Sequence, residues 1–260
     1  MNFALPVYSL AHRELVRFFR QRHRVIGAFA QPLMFWILFG AGFGRSLQLP
    51  GATQMSYLEY FFPGTLLMIL LFTAIFATIS IIEDRREGFL QSVLVAPLPR
   101  LSMVLGKVIG GTLIAVLQAT LFLLAGFALG MPLTVLSFAT VVGLILLIGV
   151  SLTCMGFILA WRMNSSQGFH AIMTVLLMPM WLLSGALFPL SGVPGWLHAV
   201  MVVNPLTYQL ALLRHILYGV DVLPGIPSFA LSLLVTVVFT VAAVLLAAFV
   251  ARTTTRGDLQ

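Results

Sequence analysis

EDRREGFLQSVLVAPLPR, residues 83–100, is the stretch on which the fold turns. It opens on five consecutive charges, Glu83, Asp84, Arg85, Arg86 and Glu87, in a protein of which only 8% of residues are charged. At roughly 2.5–3.5 kcal/mol per charge at mid-bilayer, leaving all five in lipid costs on the order of 12–17 kcal/mol. The chain therefore leaves the membrane here. Phe89, Leu90, Val93 and Leu94 then mark a short apolar helix, which Pro97 and Pro99 close. What stands outside is a compact helical knob joined to two long apolar segments.

Working outward, 60% of the 260 residues are hydrophobic. No water-soluble domain of this size covers such a chain with polar surface, so the fold class is an all-α integral membrane protein with little soluble mass. The formal charge of +7 sits beside apolar runs, which is the mark of membrane orientation and not of a nucleic-acid partner. Cys154 is the single cysteine, so neither a disulfide framework nor a cysteine metal cluster is available. The first apolar run follows an Arg-rich segment as a signal peptide does. It is long, rich in Phe and Trp, and lacks a small-residue cleavage site, so it reads as an uncleaved span.

Six segments have the length to cross a bilayer: 25–44, 60–82, 105–129, 134–160, 170–190 and 227–250. Twelve of the fourteen basic residues fall at the amino end, in the 83–100 loop with Lys107, beside Arg162 or in the tail. Only Arg45 and Arg214 fall on the other side. Both termini and the knob therefore face the cytoplasm, with Lys107 expected to snorkel back to that surface.

Residues 6–22, PVYSLAHRELVRFFRQR, are too short and too charged to span. At about 100° per residue, Val7, Ala11, Leu15 and Phe18 share one face, while Arg13, Arg17 and Arg20 fall opposite. That pattern predicts an amphipathic helix lying in the headgroup layer, its arginines toward phosphate or water; a solvated basic tail is the alternative. At the other end of the chain, residues 194–223 hold two short apolar pieces, GWLHAVMVV and PLTYQLALLRHIL, split by Asn204-Pro205. Each is too short to cross, and Arg214 with His215 opposes a spanning pair, so both read as re-entrant helices on the outside. Pro205 suits a helix start and Asn204 its cap.

Chemistry of the chain's own is hard to find. Around Gly106-Lys107, a phosphate-binding loop would need glycine at Leu101 and Ser or Thr at Val108. The five histidines are scattered and make no zinc pattern. Ser184 lacks a glycine two residues before it, and His170 sits at the opposite end of the span, which disfavours a serine protease. The span interiors carry almost no ionisable groups, which disfavours an ion-coupled carrier. Gln118, the most polar mid-span residue, suits an interhelical hydrogen bond.

Small residues at Gly40, Gly42 and Gly44 and at Gly106, Gly110 and Gly111 suit close helix contact or a helix that bends. Pro179 is placed to kink the fifth span. Aromatic residues crowd the outer ends of spans one and two (Phe35, Trp36, Phe39, Phe43; Tyr57, Tyr60, Phe61, Phe62). They fit an interfacial belt with lipid-facing bulk, or a lining for an amphipathic substrate.

The chain resembles the membrane subunits of type-2 ATP-binding-cassette exporters, which move drugs, lipids or lipid-linked polysaccharides outward. REGFLQSVLVAPLPR is similar to that family's Glu-Gly-containing coupling helix. LSGALFPLSGVPGW (183–196) and NPLTYQLALLR (204–214) complete the match in order and spacing. Gln91 departs from it, standing where members often carry a second glutamate. The resemblance implies a non-catalytic permease in the bacterial cytoplasmic (inner) membrane, with no cofactor of its own. ATP and magnesium would sit in two soluble ATPase subunits, and a second permease subunit, identical or not, would complete the pair. Glu83, Arg86, Glu87, Gly88, Phe89, Leu90, Val93, Leu94 and Pro97 would couple to the ATPase, the apolar residues as anchor and the charges as rim. Arg13, Arg17 and Arg20 would flank that partner, and Asn204, Pro205, Tyr208 and Arg214 would close the outer mouth. A six-span scaffold without transport, or an ion-coupled carrier, are the competing readings.

Overall fold

A computed structural model describes residues 3–43, 56–95, 99–128, 134–219 and 225–252. Every regular element among them is helical: α1 (Ala4–Arg20), α2 (Arg22–Phe43), α3 (Tyr57–Arg86), α4 (Phe89–Val95), α5 (Arg100–Ala128), α6 (Val135–Trp161), α7 (Ser166–Trp181), α8 (Gly195–Val203), α9 (Pro205–Tyr218) and α10 (Phe229–Val250). A π-helical turn, Leu182–Ala186, extends α7. Local chemistry sets many of the starts. Ser56 and Glu59 form a reciprocal capping box on α3, and Thr134, Ser165 and Ser228 each accept a backbone N–H three residues on.

Six helices are long and apolar enough to cross a membrane: Val25–Gly42, Tyr57–Arg86, Arg100–Leu124, Val135–Trp161, Ser166–Ala186 and Phe229–Val250. α8 and α9 form a pair bent by 81° at Asn204. The six long helices agree in number with the spans expected from hydropathy. α3 is the axis of the bundle, with 89% of its apolar stretch buried inside the chain against 28% for α10. It touches α2, α5, α6, α7 and α9. At 1.5 Å per residue α3 is about 45 Å long, more than the ~30 Å hydrocarbon core, so its terminal turns have room beyond the lipid.

Gly106 and Gly110 let α1 lie directly on α5. An added Cβ at Gly106 would come within 2.6 Å of Leu10, and one at Gly110 within 2.7 Å of Glu14. Gly111 does the same for α6, where Thr153 would be 2.8 Å away. Close contact is thus the use of this glycine cluster. At α2, Gly40 abuts Leu58 while Gly42 is open, and Gly44 lies outside the described residues.

One expectation changes in part. Phe35 and Phe39 are half-buried and the Phe43 side chain lies outside the described residues, whereas Trp36, Tyr57, Tyr60, Phe61 and Phe62 form neither belt nor lining but are buried among α2, α3, α5 and the π turn. Their polar atoms make this possible, because each finds a carbonyl inside the chain. Trp36 donates to Leu58 (3.0 Å), Tyr57 to Leu187 (3.1 Å) and Tyr60 to Gly185 (2.8 Å). Pro179, the residue expected to kink the fifth span, lies inside α7, and the span leaves the α-form at the π turn that follows, where Gly185 takes φ +90°.

Gly106→Val should push α1 off α5 and lower stability by about 1–3 kcal/mol, as overpacking does. Gly143→Ala, where a Cβ meets nothing within 4 Å, should be neutral or stabilising by up to ~1 kcal/mol. Thermal unfolding of the two purified variants in detergent checks the contrast.

Candidate functional site

The charges of residues 83–87 do not simply face water. Asp84, in the last turn of α3, is fully buried and carries a ring of cations. Arg13 holds it with two hydrogen bonds (2.9 and 2.7 Å) and Arg17 with one (2.6 Å), both from α1. Lys107 of α5 pairs with the other side of the same carboxylate, with Glu14 of α1 (2.5 Å) and with the Ser80 hydroxyl (3.2 Å). Burial opposes the Arg13 charge, but the bonds to Asp84 outweigh it and hold the guanidinium pKa above its ordinary value. One carboxylate thereby ties α1, α3 and α5 together.

This arrangement corrects two expectations. Lys107 is only 5% exposed and does not snorkel, because Asp84 and Glu14 satisfy its charge where it stands. Arg13 and Arg17 turn toward the acids at the end of α3 and not toward phosphate or water; Arg20 alone of the three is exposed. Arg17 also reaches Glu83 (3.0 Å) and Glu87 (3.1 Å).

The knob is braced from two sides. Gly88, at φ +75°, makes the left-handed turn that reverses the chain from α3 into α4. Arg13 stacks on Phe89 at 3.7 Å, so α1 grips α4 as well as α3. Arg85 donates to the carbonyls of Trp161 (2.7 Å) and Met163 (2.8 Å) and to the Asn164 side chain (3.2 Å), capping the end of α6. Arg86 donates twice to the Asn164 carbonyl. Asp84 and Arg85 therefore work inside the chain, whereas Arg86 and Glu87 are exposed. Leu90 is 2% exposed and packs into the core, with Phe89 and Val93 half-buried beside it. Ser92 and Val95 face outward, Val95 at 86% exposure. The Leu94 side chain and Pro97 lie outside the described residues.

At the opposite end of α3, Asn204 accepts from the Leu206 N–H (3.0 Å) and donates to the Met180 carbonyl (2.6 Å), capping α9 while tying it to α7. Pro205 is the first residue of α9, and Tyr208 donates back to Val202 (2.8 Å). Arg214 is 2% exposed. It donates to the Gly185 carbonyl (2.8 Å) and lies 4.3 Å from the Tyr60 ring centroid. Tyr60 donates to that same carbonyl, so α3, α9 and the π turn converge on one atom. Midway along the bundle, Thr73 donates to Gln118 (2.5 Å), the interhelical bond expected of Gln118.

Sequence reading missed the partnership of Glu14, Ser80, Asp84 and Lys107. A signal existed: Glu14 is the one acid of a basic helix, and Lys107 the one lysine of the chain. Among the described residues no cluster of His, Cys, Asp or Glu could hold a metal ion.

These features define a multi-pass, all-helical membrane protein. The ABC-2 type transporter family matches residues 6–218, and the chain belongs to it. It is 30% identical to the putative transport permease ycf38 of Cyanophora paradoxa, over 82% of this chain and 74% of that one. Identity is 27% with the probable multidrug ABC transporter permease YbhR of Escherichia coli strain K12, over 60% and 42%. With the daunorubicin resistance ABC transporter permease protein DrrB1 of Streptomyces coeruleorubidus it is 24%, over 72% and 64%.

Asp84→Asn should leave the Arg13, Arg17 and Lys107 cations one carboxylate short and destabilise the protein by about 3–5 kcal/mol. Adding Lys107→Met should restore part of that loss, because one surplus cation goes with it. Apparent melting temperatures of the single and double variants measure the coupling.

Proposed function

We propose that this chain is the non-catalytic permease subunit of an ATP-driven exporter that moves an amphipathic substrate (drug, lipid or glycolipid) outward across a bacterial inner membrane. The observation that carries the reading is α4, a short helix projecting from the charged end of the bundle with Ser92 and Val95 exposed and its root held rigid by the Asp84 cluster. Such a knob suits helix-in-groove docking on a soluble ATPase, which would hold the ATP and magnesium. Family membership and the relatives' names support the transport role. Two ATPase chains closing on ATP and a second permease, identical or not, would make up the complex, with both termini and α4 on the cytoplasmic side.

The mechanism follows from the bracing. A push on α4 enters α3 through the Gly88 turn, α1 through Phe89–Arg13 and α6 through Arg85, so these helices tilt together. At the far end of α3 the tilt acts on the Gly185 carbonyl, where Tyr60 and Arg214 hold the α8–α9 pair shut. Asn204, Pro205, Tyr208 and Arg214 are thus the proposed outer gate.

The purified chain alone should not hydrolyse ATP, and a complex with the ATPase should show substrate-stimulated turnover. Ser92→Arg with Val95→Glu should cut export about tenfold or more, the effect of losing one interface anchor, while leaving the melting temperature unchanged. Phe89→Ala is a poorer test, because it also removes the ring under Arg13. Export by the isolated chain under an ion gradient would favour a carrier, and no export with any ATPase a scaffold.

A further inference from the structure

We propose that α1 and α5 form a binding site for one anionic phospholipid, its phosphate on the basic edge of α1 and an acyl chain in the groove between the two helices. The site does not rest on the exporter reading. It rests on two adjoining cavities of opposite character that share a wall.

The first cavity, about 520 Å³, is bounded by His12, Arg13, Arg17, Arg20 and Gln21, with Glu87 at one side. Arg13 pairs with Asp84 and Arg17 is shared among Glu83, Asp84 and Glu87, so these acids and both guanidiniums are already engaged with one another. Arg20 is different: it is exposed and has no ion-pair partner among the described residues. The cavity therefore offers an unsatisfied guanidinium beside two others whose charge is spent, with the exposed His12 ring next to them. That is a complement for a phosphate monoanion.

The second cavity, about 580 Å³, is a trough between α1 and α5 with walls of Val7, Ala11 and Leu15 on one side and Leu105, Ile109 and Leu113 on the other. His12 lines both cavities, so polar head and apolar trough are continuous. Tyr8, stacked on His12 at 6.0 Å, stands at the junction, where an amphipathic ring suits a membrane interface.

The remaining surface of α1 agrees. Leu5, Tyr8, Val16 and Phe19 are exposed at helical spacing on its outer side, although α1 already buries Leu10, Ala11, Glu14 and Phe18 against the bundle. A helix with a second apolar stripe and an unpaired arginine is stable against neither water nor hydrocarbon alone. The bilayer interface satisfies both. A zwitterionic lipid would fill the trough equally well but would bring its own cation to Arg20. The unpaired charge of Arg20 therefore selects an anionic headgroup.

The test uses the purified full chain in detergent, titrated with phosphatidylglycerol or phosphatidylcholine of the same acyl chains, and reads melting temperature and lipid retained per chain. Phosphatidylglycerol should stabilise saturably at about one lipid per chain, at a several-fold lower concentration than phosphatidylcholine. Arg20→Gln should raise the half-maximal phosphatidylglycerol concentration about fivefold, the worth of roughly one surface cation toward an anionic lipid, and leave the phosphatidylcholine response alone. Ala4→Trp, which fills the trough from an exposed position, should weaken both. Arg162→Gln, exposed at the end of α6, should change neither and serves as the control. Equal response to the two lipids, an undiminished phosphatidylglycerol response in the Arg20→Gln variant, or reproduction of the phosphatidylglycerol shift by inorganic phosphate would each overturn the proposal.

Discussion

A carboxylate buried in the last turn of α3 governs this molecule. Asp84 cannot keep its charge out of water without partners, and the partners come from α1 and α5. Replacing such a cluster with apolar side chains can leave stability unchanged, whereas removing one member strands a charge at a cost of several kcal/mol. The cluster therefore acts less as glue than as a constraint. Any arrangement of α1, α3 and α5 that separates these groups is penalised, so the three helices keep one geometry at the foot of the knob.

The far end of α3 is organised differently. There the bonds are neutral or half-neutral, made by Tyr57, Tyr60 and Trp36 to backbone carbonyls. Arg214 bonds to a carbonyl and a ring, with no carboxylate in an ion pair with it among the described residues. Bonds of this kind are individually worth about 1 kcal/mol net and can be exchanged for others. An ionic foot and a collar of carbonyl hydrogen bonds thus stand at opposite ends of one continuous helix. The π turn with its left-handed Gly185 supplies the non-helical carbonyl on which the collar closes.

Individual residues show how much could be read in advance. The spans, the cap at Asn204, the helix start at Pro205 and the Gln118 hydrogen bond were legible, because each depends on neighbours in sequence or on hydropathy over a window. The roles of Arg13, Arg17 and Lys107 were not. An amphipathic pattern places arginines on one face of a helix but cannot say whether lipid phosphate or a carboxylate about 70 residues away will meet them. The burial of Trp36, Tyr57 and Tyr60 was hidden for the same reason: Tyr and Trp suit an interface or a core equally, and the choice lies with the carbonyls they find.

By itself the sequence determined an all-helical membrane chain with six crossings, one charged knob and one bent pair, since the cost of exposing backbone or charge to hydrocarbon admits little else. Tertiary structure alone decided which charges are spent inside the chain and which are left to meet lipid or another protein. Ion pairing between α1, α3 and α5 depends on distances across the bundle, and those follow from packing such as that of Gly106 and Gly110 under α1, which no linear pattern records.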